Sequence, residues 1–259
     1  MKLSKNILLL LSIVIITSCK NEKSSTKVAV ANDNIATKKS IEIKPITHGT
    51  LVLETENEVI YIDPTGGLKA FAGYKNPTLV LITDIHGDHL NIETLEALNI
   101  DAATLIAPAA VIEKLPKNIS KTIVTLNNGD SYNTNNAKIE AIPMYNLREE
   151  ALKYHPKGRG NGYVITINGE RIYISGDTED IPEMRSLKNI DKAFVCMNLP
   201  WTMTIESAAS AVIDFKPKKV YPYHYRSAEG LSDIDKFKRL VNEDNTSTEV
   251  ILLNWYYSQ

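Results

Sequence analysis

Cysteine is scarce in this sequence: only Cys19 and Cys196 occur among 259 residues. A small domain held together by several disulfides is therefore excluded, and the chain needs an apolar core. Hydrophobic residues make up 43% of the sequence, enough for one large domain or two small ones. Cys196 lies in the apolar run KAFVCMNL and is predicted to be a buried core residue.

The sequence also lacks an excess of positive charge. Lysine and arginine number 29 against 31 acidic residues, which gives a formal net charge of −2 at pH 7. No segment forms a basic stripe of the kind that nucleic-acid-binding proteins present to phosphates. We therefore expect no nucleic-acid partner.

One hydrophobic run stands out, and it is short. ILLLLSIVII follows the basic start MKLSKN and is too short to span a bilayer comfortably, so it indicates the apolar region of a secretion signal. Small residues then precede Cys19, an order that resembles a bacterial lipoprotein signal. An uncleaved anchor and a plain secretory signal are the alternatives.

The lipoprotein interpretation predicts three parts of the chain. Residues 1–18 would be a cleaved signal peptide, and Cys19 would carry lipid on its sulfur. Residues 19–40 are polar without a period, so they are predicted to form a disordered tether. Residues 41–259 would form the folded domain. The protein would be a membrane-anchored lipoprotein of a bacterial cell envelope, facing the periplasm or the exterior.

Strand-like and helix-like segments alternate from residue 41 onward. GTLVLET and EVIYIDP predict a hairpin, TLVLIT a buried strand and TEVILLN the last strand. Helices are predicted in LNIETLEALN, with Asn91 as the N-cap, and in TIESAASAVIDF, capped by Thr204. NEVIYIDPT and GERIYISGDT are similar, and each ends a hairpin. This echo predicts an α/β protein with two mixed sheets packed face to face and helices outside, a four-layer αββα sandwich.

Potential metal ligands are concentrated in ITDIHGDHL, directly after the apolar run PTLVLI. Further histidines and an aspartate lie at strand ends or in loops downstream. Because strand ends meet at one edge of a sheet, we expect these side chains to converge on a metal centre. The alternative for the first segment is an acidic helix N-cap with two incidental histidines. The candidate metal ligands are Asp84, His86, Asp88, His89, His155, Asp177 and His224.

These residues resemble the metallo-β-lactamase superfamily. Its hallmark is a His-x-His-x-Asp-His run after a strand, followed by a His, an Asp and a His, and HGDH matches the second half of that run. IPMYN, HPKGRGNGYV, IYISGDT and PKKVYPYHY resemble, in this order, the branch that contains ascorbate-6-phosphate lactonases and uncharacterised metal-dependent hydrolases. The resemblance covers about residues 42–254.

The resemblance implies two metal ions, for which zinc suits the ligands and Mn²⁺ or Fe²⁺ are possible. The first ion would be held by His86 and His155, the second by Asp88, His89 and His224, and Asp177 would bridge them. Asp84 departs from the family, which usually has His there. We expect Asp84 to bind the first ion in a dinuclear centre; the alternative is a weak first site and a protein that works with one ion.

The implied activity is that of a metal-dependent hydrolase, in which a metal-bound hydroxide attacks a lactone, ester, amide or phosphodiester. Asp88 and Asp177 would orient the water or move its proton. The substrate would be a small or lipid-like molecule. The alternatives are a catalytically inactive binding lipoprotein that kept the fold and a di-iron redox protein. The redox alternative is disfavoured because the chain has no appended flavin domain.

Four further residues are candidates for supporting the metal ligands or contacting substrate: His48, Asp63, Trp201 and Arg226. Each has a plainer alternative, namely a structural role, a turn, packing on the following helix, and a surface salt bridge, respectively. The glycine-rich segment KGRGNG lacks the Gly-Lys-Ser/Thr ending of a phosphate loop and precedes a strand. We interpret it as a rim beside His155.

Overall fold

The computed structural model describes residues 40–244 and 247–257. The predicted signal peptide, Cys19 and nearly all of the predicted tether lie outside these residues. Within them, no helix combines the length and the apolar character that crossing a membrane requires.

The described residues contain fifteen strands and six α-helices. The strands are β1 Glu42–Thr47, β2 Thr50–Glu54, β3 Val59–Ile62, β4 Leu79–Leu81, β5 Thr104–Ala107, β6 Thr122–Thr125, β7 Ser131–Asn133, β8 Ala137–Met144, β9 Gly160–Ile167, β10 Glu170–Ile174, β11 Lys192–Val195, β12 Lys219–Pro222, β13 Arg226–Ser227, β14 Gly230–Leu231 and β15 Glu249–Val250. The helices are α1 Gly67–Ala70, α2 Ile92–Ala97, α3 Ala109–Ile112, α4 Pro182–Arg185, α5 Ile205–Phe215 and α6 Ile234–Glu243.

Two mixed sheets carry most of these strands, as predicted. The first has the order β1-β2-β3-β4-β5-β6, antiparallel up to β3 and parallel from β3 to β6. The second has the order β15-β12-β11-β10-β9-β8-β7, parallel from β15 to β10 and antiparallel from β10 to β7. Each sheet thus joins a hairpin, β2–β3 or β9–β10, to parallel strands, which is the internal echo seen in the sequence.

Alternation along the strands produces the layers. Leu51 and Leu53 of β2 belong to the core that also contains Ile139 and Ile165 of the second sheet. Val52 points to the other face, where a second core includes residues of α2 and α3. Because strand side chains alternate between faces, the first sheet packs against the second on one side and against helices on the other.

The predicted helix caps are confirmed. Asn91 Oδ1 accepts a hydrogen bond from the Thr94 amide at 2.8 Å, and the Thr204 hydroxyl accepts one from the Ser207 amide at 3.0 Å. Both side chains satisfy amides that have no partner inside the helix.

The last strand is shorter than predicted. Only Glu249–Val250 pair with β12, whereas TEVILLN suggested a full strand. β12 ends at Pro222, which has no N–H to donate, so the ladder cannot continue along it. Beyond Val250 the chain leaves the sheet. The Trp255 ring then lies 5.7 Å from the Tyr223 ring, and the Tyr256 ring lies 5.8 Å from the His48 ring.

Candidate metal centre

The candidate ligands lie where strands end. Asp84 to His89 follow β4, His155 precedes β9, Asp177 follows β10, and His224 follows β12. The structure brings the seven predicted ligands together in two groups. The first metal group is Asp84, His86 and His155, and the second metal group is Asp88, His89, Asp177 and His224. Within each group, one potential ligand atom per residue lies within 4.8 Å of the others.

Asp177 links the two groups. Its Oδ2 is 3.4 Å from His89 Nε2 and 3.3 Å from His155 Nε2, and its Oδ1 is 3.4 Å from His224 Nε2. Asp88 Oδ2 lies 3.4 Å from the same His224 nitrogen. The Asp177 carboxylate therefore contacts histidines of both groups.

Several inward-facing atoms are buried without a hydrogen bond. Among the described residues these include the Nε2 atoms of His89, His155 and His224, and Asp177 Oδ1. Buried polar atoms in folded proteins almost always have a partner. Imidazole nitrogens and carboxylate oxygens are the ligands that zinc and similar divalent ions take, so the second metal group fits a divalent cation.

The orientation of His89 is set from behind by Asp63, at the end of β3. His89 Nδ1 donates a hydrogen bond to Asp63 Oδ2 at 2.7 Å, and both side chains are fully buried. The Thr83 amide and hydroxyl also donate to Asp63, at 2.7 and 2.6 Å. Since Nδ1 carries the proton, Nε2 faces the metal group as a free ligand. Asp63 therefore does more than form a turn.

His155 is oriented in the same way by the backbone of Trp201. Its Nδ1 donates to the Trp201 carbonyl at 3.1 Å, which directs Nε2 toward Asp177. Asn146 Nδ2 donates to the same carbonyl at 2.6 Å. Sequence reasoning missed Asn146, because an Asn after a strand is common in turns and its partner lies 55 residues away.

Asp84 has an unexpected partner in Arg159. The guanidinium donates through Nε to Asp84 Oδ1 at 3.1 Å and through Nη2 to Oδ2 at 2.9 Å. His86 Nδ1 lies 2.8 Å from the same Oδ2. The segment interpreted as a rim beside His155 thus turns a cation inward. Two separate features of the sequence could have indicated this pair: an extra carboxylate at position 84, and an arginine 75 residues later with no assigned role.

His48 and Tyr256 close the site on the other side. His48 Nε2 is 3.3 Å from Asp88 Oδ2, its Nδ1 is 2.7 Å from the Tyr256 hydroxyl, and its ring lies 3.7 Å from that of His224. The Arg226 guanidinium lies over the Tyr256 ring at 4.5 Å. No ion pair of Arg226 is found within residues 40–244 and 247–257, so the predicted alternative of a surface salt bridge is not seen there.

Two glycines allow the close packing of these ligands. A Cβ on Gly49 would lie 2.7 Å from His224 Cδ2, closer than real contacts allow. Gly176, just before Asp177, has a φ of +61°, and a Cβ there would lie 2.5 Å from Met144 Sδ. A larger residue at position 49 would displace His224, and one at position 176 would press on Met144 in a backbone conformation that favours glycine.

Acidic and basic side chains of the site shift each other's pKa values toward the charged forms. Burial alone would raise the pKa of Asp177, but the neighbouring His224 and His89 hold it well below its usual value. Burial likewise opposes ionisation of Asp88, yet the adjacent His224 and His48 rings keep its pKa far below normal. For His89, burial disfavours the charged form, but Asp177 and Asp63 raise its pKa well above its usual value. The carboxylates thus favour positive charge at His89, and the histidines favour negative charge at Asp88 and Asp177.

A cavity of about 320 Å³ opens onto both groups. His86, Asp88, His155 and Asp177 contribute to its wall from the metal groups. Trp201, Arg226 and His48 line it as well, together with Tyr154 and Asn198, which sequence reasoning did not single out. All four predicted neighbours of the site thus lie near it, although Asp63 is behind His89 and not in the cavity.

Comparison with known proteins matches this architecture. Residues 60–225 match the family model of the β-lactamase superfamily domain. The UPF0173 metal-dependent hydrolase of Pyrococcus horikoshii is 30% identical over 226 residues, covering 82% of this chain and 96% of the relative. That of Thermococcus onnurineus is 33% identical and covers 75% of this chain and 88% of the relative.

Solved structures agree. A protein of Parabacteroides distasonis assigned as a metal-dependent hydrolase superimposes with a TM-score of 0.74 at 38% identity, covering 83% of this chain and 93% of that one. The metallo hydrolase Igni18 of Ignicoccus hospitalis has the same fold, with a TM-score of 0.68 at 21% identity over 83% of this chain and 95% of that one. The narrower resemblance to ascorbate-6-phosphate lactonases stays a prediction. By sequence and by fold, the chain belongs to the metallo-β-lactamase superfamily and, within it, to the UPF0173 metal-dependent hydrolase family.

Proposed function

We propose that this protein hydrolyses a small or lipid-like molecule with the help of divalent metal, zinc being the ion that suits its ligands best. One observation carries the proposal: unpaired nitrogen and oxygen atoms of His89, His155, His224 and Asp177 converge beside an open cavity. A buried cluster of this kind is stable only when it holds a cation or protons.

When bound, the metal supplies an acidified water as nucleophile and positive charge for the oxygen of the attacked bond. Asp88 and Asp177 differ in what they can add. Asp177 is almost fully buried and contacts three histidines, so it acts as a ligand. The Asp88 side chain is 44% exposed and lines the cavity, so one oxygen can orient the attacking water and accept its proton.

The walls of the cavity suggest the kind of substrate. Trp201 offers an apolar face, and Arg226 offers a cation without an acidic partner among the described residues. A second groove of about 490 Å³, lined in part by Leu199, Met203 and Ile205, shares Ser227 with the metal cavity. A substrate with an apolar chain and an anionic group near the cleaved bond fits this arrangement. The cleaved bond would be a lactone, ester, amide or phosphodiester.

The location proposed for this activity is the bacterial cell envelope. It rests on the sequence before residue 40 alone, where the apolar run and Cys19 resemble a lipoprotein signal. Tethering to a membrane would bring the enzyme close to lipid-like substrates. Palmitate labelling of the wild-type chain and a Cys19→Ser variant tests the anchor: label on both would exclude Cys19 as the lipidated residue.

An inactive binding lipoprotein is the second candidate. The Asp84–Arg159 pair favours it, because it removes a carboxylate from the first metal group. The intact second metal group, with its support from Asp63, favours the hydrolase.

Metal content and turnover separate the two candidates. Plasma mass spectrometry is applied to the purified protein, to Asp88→Ala and to Asp235→Ala, the last an acidic control outside both metal groups. The hydrolase proposal predicts bound metal in the wild type and control, less in Asp88→Ala, and metal-dependent cleavage in a panel of lactones, esters and phosphodiesters. Absence of metal even after reconstitution would overturn it, and bound metal without turnover on any ester class would favour the binding protein.

A further inference from the structure

The Arg159 side chain lies inside the first metal group. Its Nη2 donates to Asp84 Oδ2 at 2.9 Å and lies 3.5 Å from His86 Nε2. We infer that Arg159 acts as a permanent cation that weakens the first metal group, so that the protein binds one ion tightly, in the second metal group. The inference rests on the proposed function, because it concerns the nuclearity of the same metal centre.

The carboxylate of Asp84 already has a hydrogen-bond partner in Arg159. Both oxygens accept from the guanidinium, Oδ1 from Nε and Oδ2 from Nη2, and the side chain has no exposed surface. A two-point pair between a planar guanidinium and a carboxylate is among the strongest side-chain interactions. A metal ion at Asp84 would have to share an oxygen with this pair or break it, and breaking it would leave a buried charge unpaired.

Arg159 is held in place independently of Asp84. Its Nη2 also donates to the carbonyl of Tyr154, and the side chain is only 18% exposed. Gly160, the next residue, lies so close to Thr83 and Asp84 that a Cβ would be 2.9 Å from the Thr83 carbonyl oxygen. The backbone that carries Arg159 therefore packs directly against the backbone that carries Asp84, which keeps the two side chains close together.

Unlike the ammonium of lysine or the imidazolium of histidine, a guanidinium does not lose its proton at any ordinary pH. A divalent ion bound by Asp84 and His86 would sit beside this fixed positive charge. The guanidinium already lies within 3.5 Å of atoms of both residues, so the electrostatic repulsion between it and the ion would be large in this partly buried site. Lysine or histidine could release a proton when metal arrives, but arginine cannot.

His155, the remaining ligand of the first metal group, is closer to the second. Its Nε2 is 3.3 Å from Asp177 Oδ2 and 4.0 Å from Asp84 Oδ2. The second metal group has no arginine among its ion pairs and keeps its unpaired nitrogens. One ion is therefore expected to bind through Asp88, His89, Asp177 and His224.

Zinc titration of the chelator-treated protein by calorimetry tests the inference. The wild type is expected to bind one equivalent tightly and a second at least tenfold more weakly. Arg159→Met removes the cation at similar side-chain length and is expected to tighten the second equivalent at least tenfold. Lys157→Met makes the same charge change two residues away, where the lysine pairs with Glu183, and is expected to behave as the wild type.

Arg159→Lys carries a cation that can release its proton when metal arrives, so it is expected to bind the second equivalent more tightly than the wild type and less tightly than Arg159→Met. Circular dichroism checks that each variant is folded. Two tight equivalents in the wild type would overturn the inference even if Arg159→Met failed to fold. An unchanged or weaker second equivalent in a folded Arg159→Met would also overturn it. Both results leave the hydrolase proposal standing, whereas no zinc binding by any form would remove the metal centre itself.

Discussion

Asp63 and His89 are joined by a 2.7 Å hydrogen bond in which both side chains are fully buried. They come from different strand ends of the first sheet, β3 and β4, which are parallel neighbours. The pairing fixes which nitrogen of His89 carries the proton and leaves the other for metal. The geometry of the second metal group thus depends on a residue that lines no part of the cavity.

Replacing Asp63 should weaken metal binding without touching a ligand. In Asp63→Asn the side chain keeps its size but loses its charge, and it can present an N–H to His89 in place of an acceptor. We expect about a 10- to 100-fold loss of zinc affinity, the range typical for residues that orient metal-bound histidines. Competition with a zinc chelator measures it. Affinity equal to that of the wild type would show that the ligands hold His89 in place by themselves.

Metal affinity should rise with pH. The pKa of His89 is raised well above its usual value because Asp177 and Asp63 stabilise the charged ring against the cost of burial. A protonated ring cannot bind metal, so protons compete with zinc below that raised pKa and the competition fades above it. We expect tighter zinc binding and fewer released protons at pH 8.5 than at pH 6. Calorimetry in two buffers of different ionisation enthalpy counts the protons, and affinity independent of pH would contradict the expectation.

Position 49 should tolerate no side chain. A Cβ on Gly49 would lie 2.7 Å from His224 Cδ2, so Gly49→Ala must move a ligand or the strand. Overpacking of this kind costs about 1–3 kcal/mol of unfolding free energy, and zinc binding should weaken as well. Gly87→Ala is the matched control, because a Cβ there meets nothing within 4 Å. Urea unfolding of the metal-free proteins compares the two, and equal losses would argue against a specific clash at His224.

Arg226 should select anionic substrates. Once a hydrolysed ester is found, Arg226→Ala is expected to raise KM roughly two- to fivefold for a carboxylated or phosphorylated ester, because an exposed charge pair contributes up to about 1 kcal/mol. The neutral analogue should show little change, and kcat should be maintained. Arg239→Ala, an exposed change on α6 away from the cavity, is the control. Equal effects on charged and neutral esters would assign Arg226 to packing on Tyr256.

Cys196 should be unreactive in the folded protein. Its side chain is fully buried, and burial raises the pKa of the thiol to about 12. Because only the thiolate reacts quickly, a Cys19→Ser chain should take up no thiol reagent at pH 8 until it is unfolded. Mass spectrometry after brief alkylation measures the uptake. Rapid labelling of the native chain would mean that β11 opens locally.

Local pattern was sufficient for the strands and helices that carry the site. Alternating apolar residues predicted the hairpins β2–β3 and β9–β10, and short polar side chains predicted the caps at Asn91 and Thr204. Both kinds of prediction succeed because the interactions involved span only a few residues. The length of the last strand was overestimated, since it depends on the donors that the neighbouring β12 offers, and Pro222 has no N–H to donate.

The candidate ligands were also visible in the sequence, because metal chemistry restricts them to a few residue types and sheet topology places strand ends together. What the pattern could not supply was the partner of each ligand. Tyr256 lies 208 residues from His48, and Arg159 lies 75 residues from Asp84.

The sequence by itself therefore determined the fold class and which side chains are available for chemistry. Only the tertiary structure decided which nitrogen of His89 faces the site, and that Asp84 meets a guanidinium. Both depend on contacts between distant segments whose spacing along the chain carries no information about their distance in the fold.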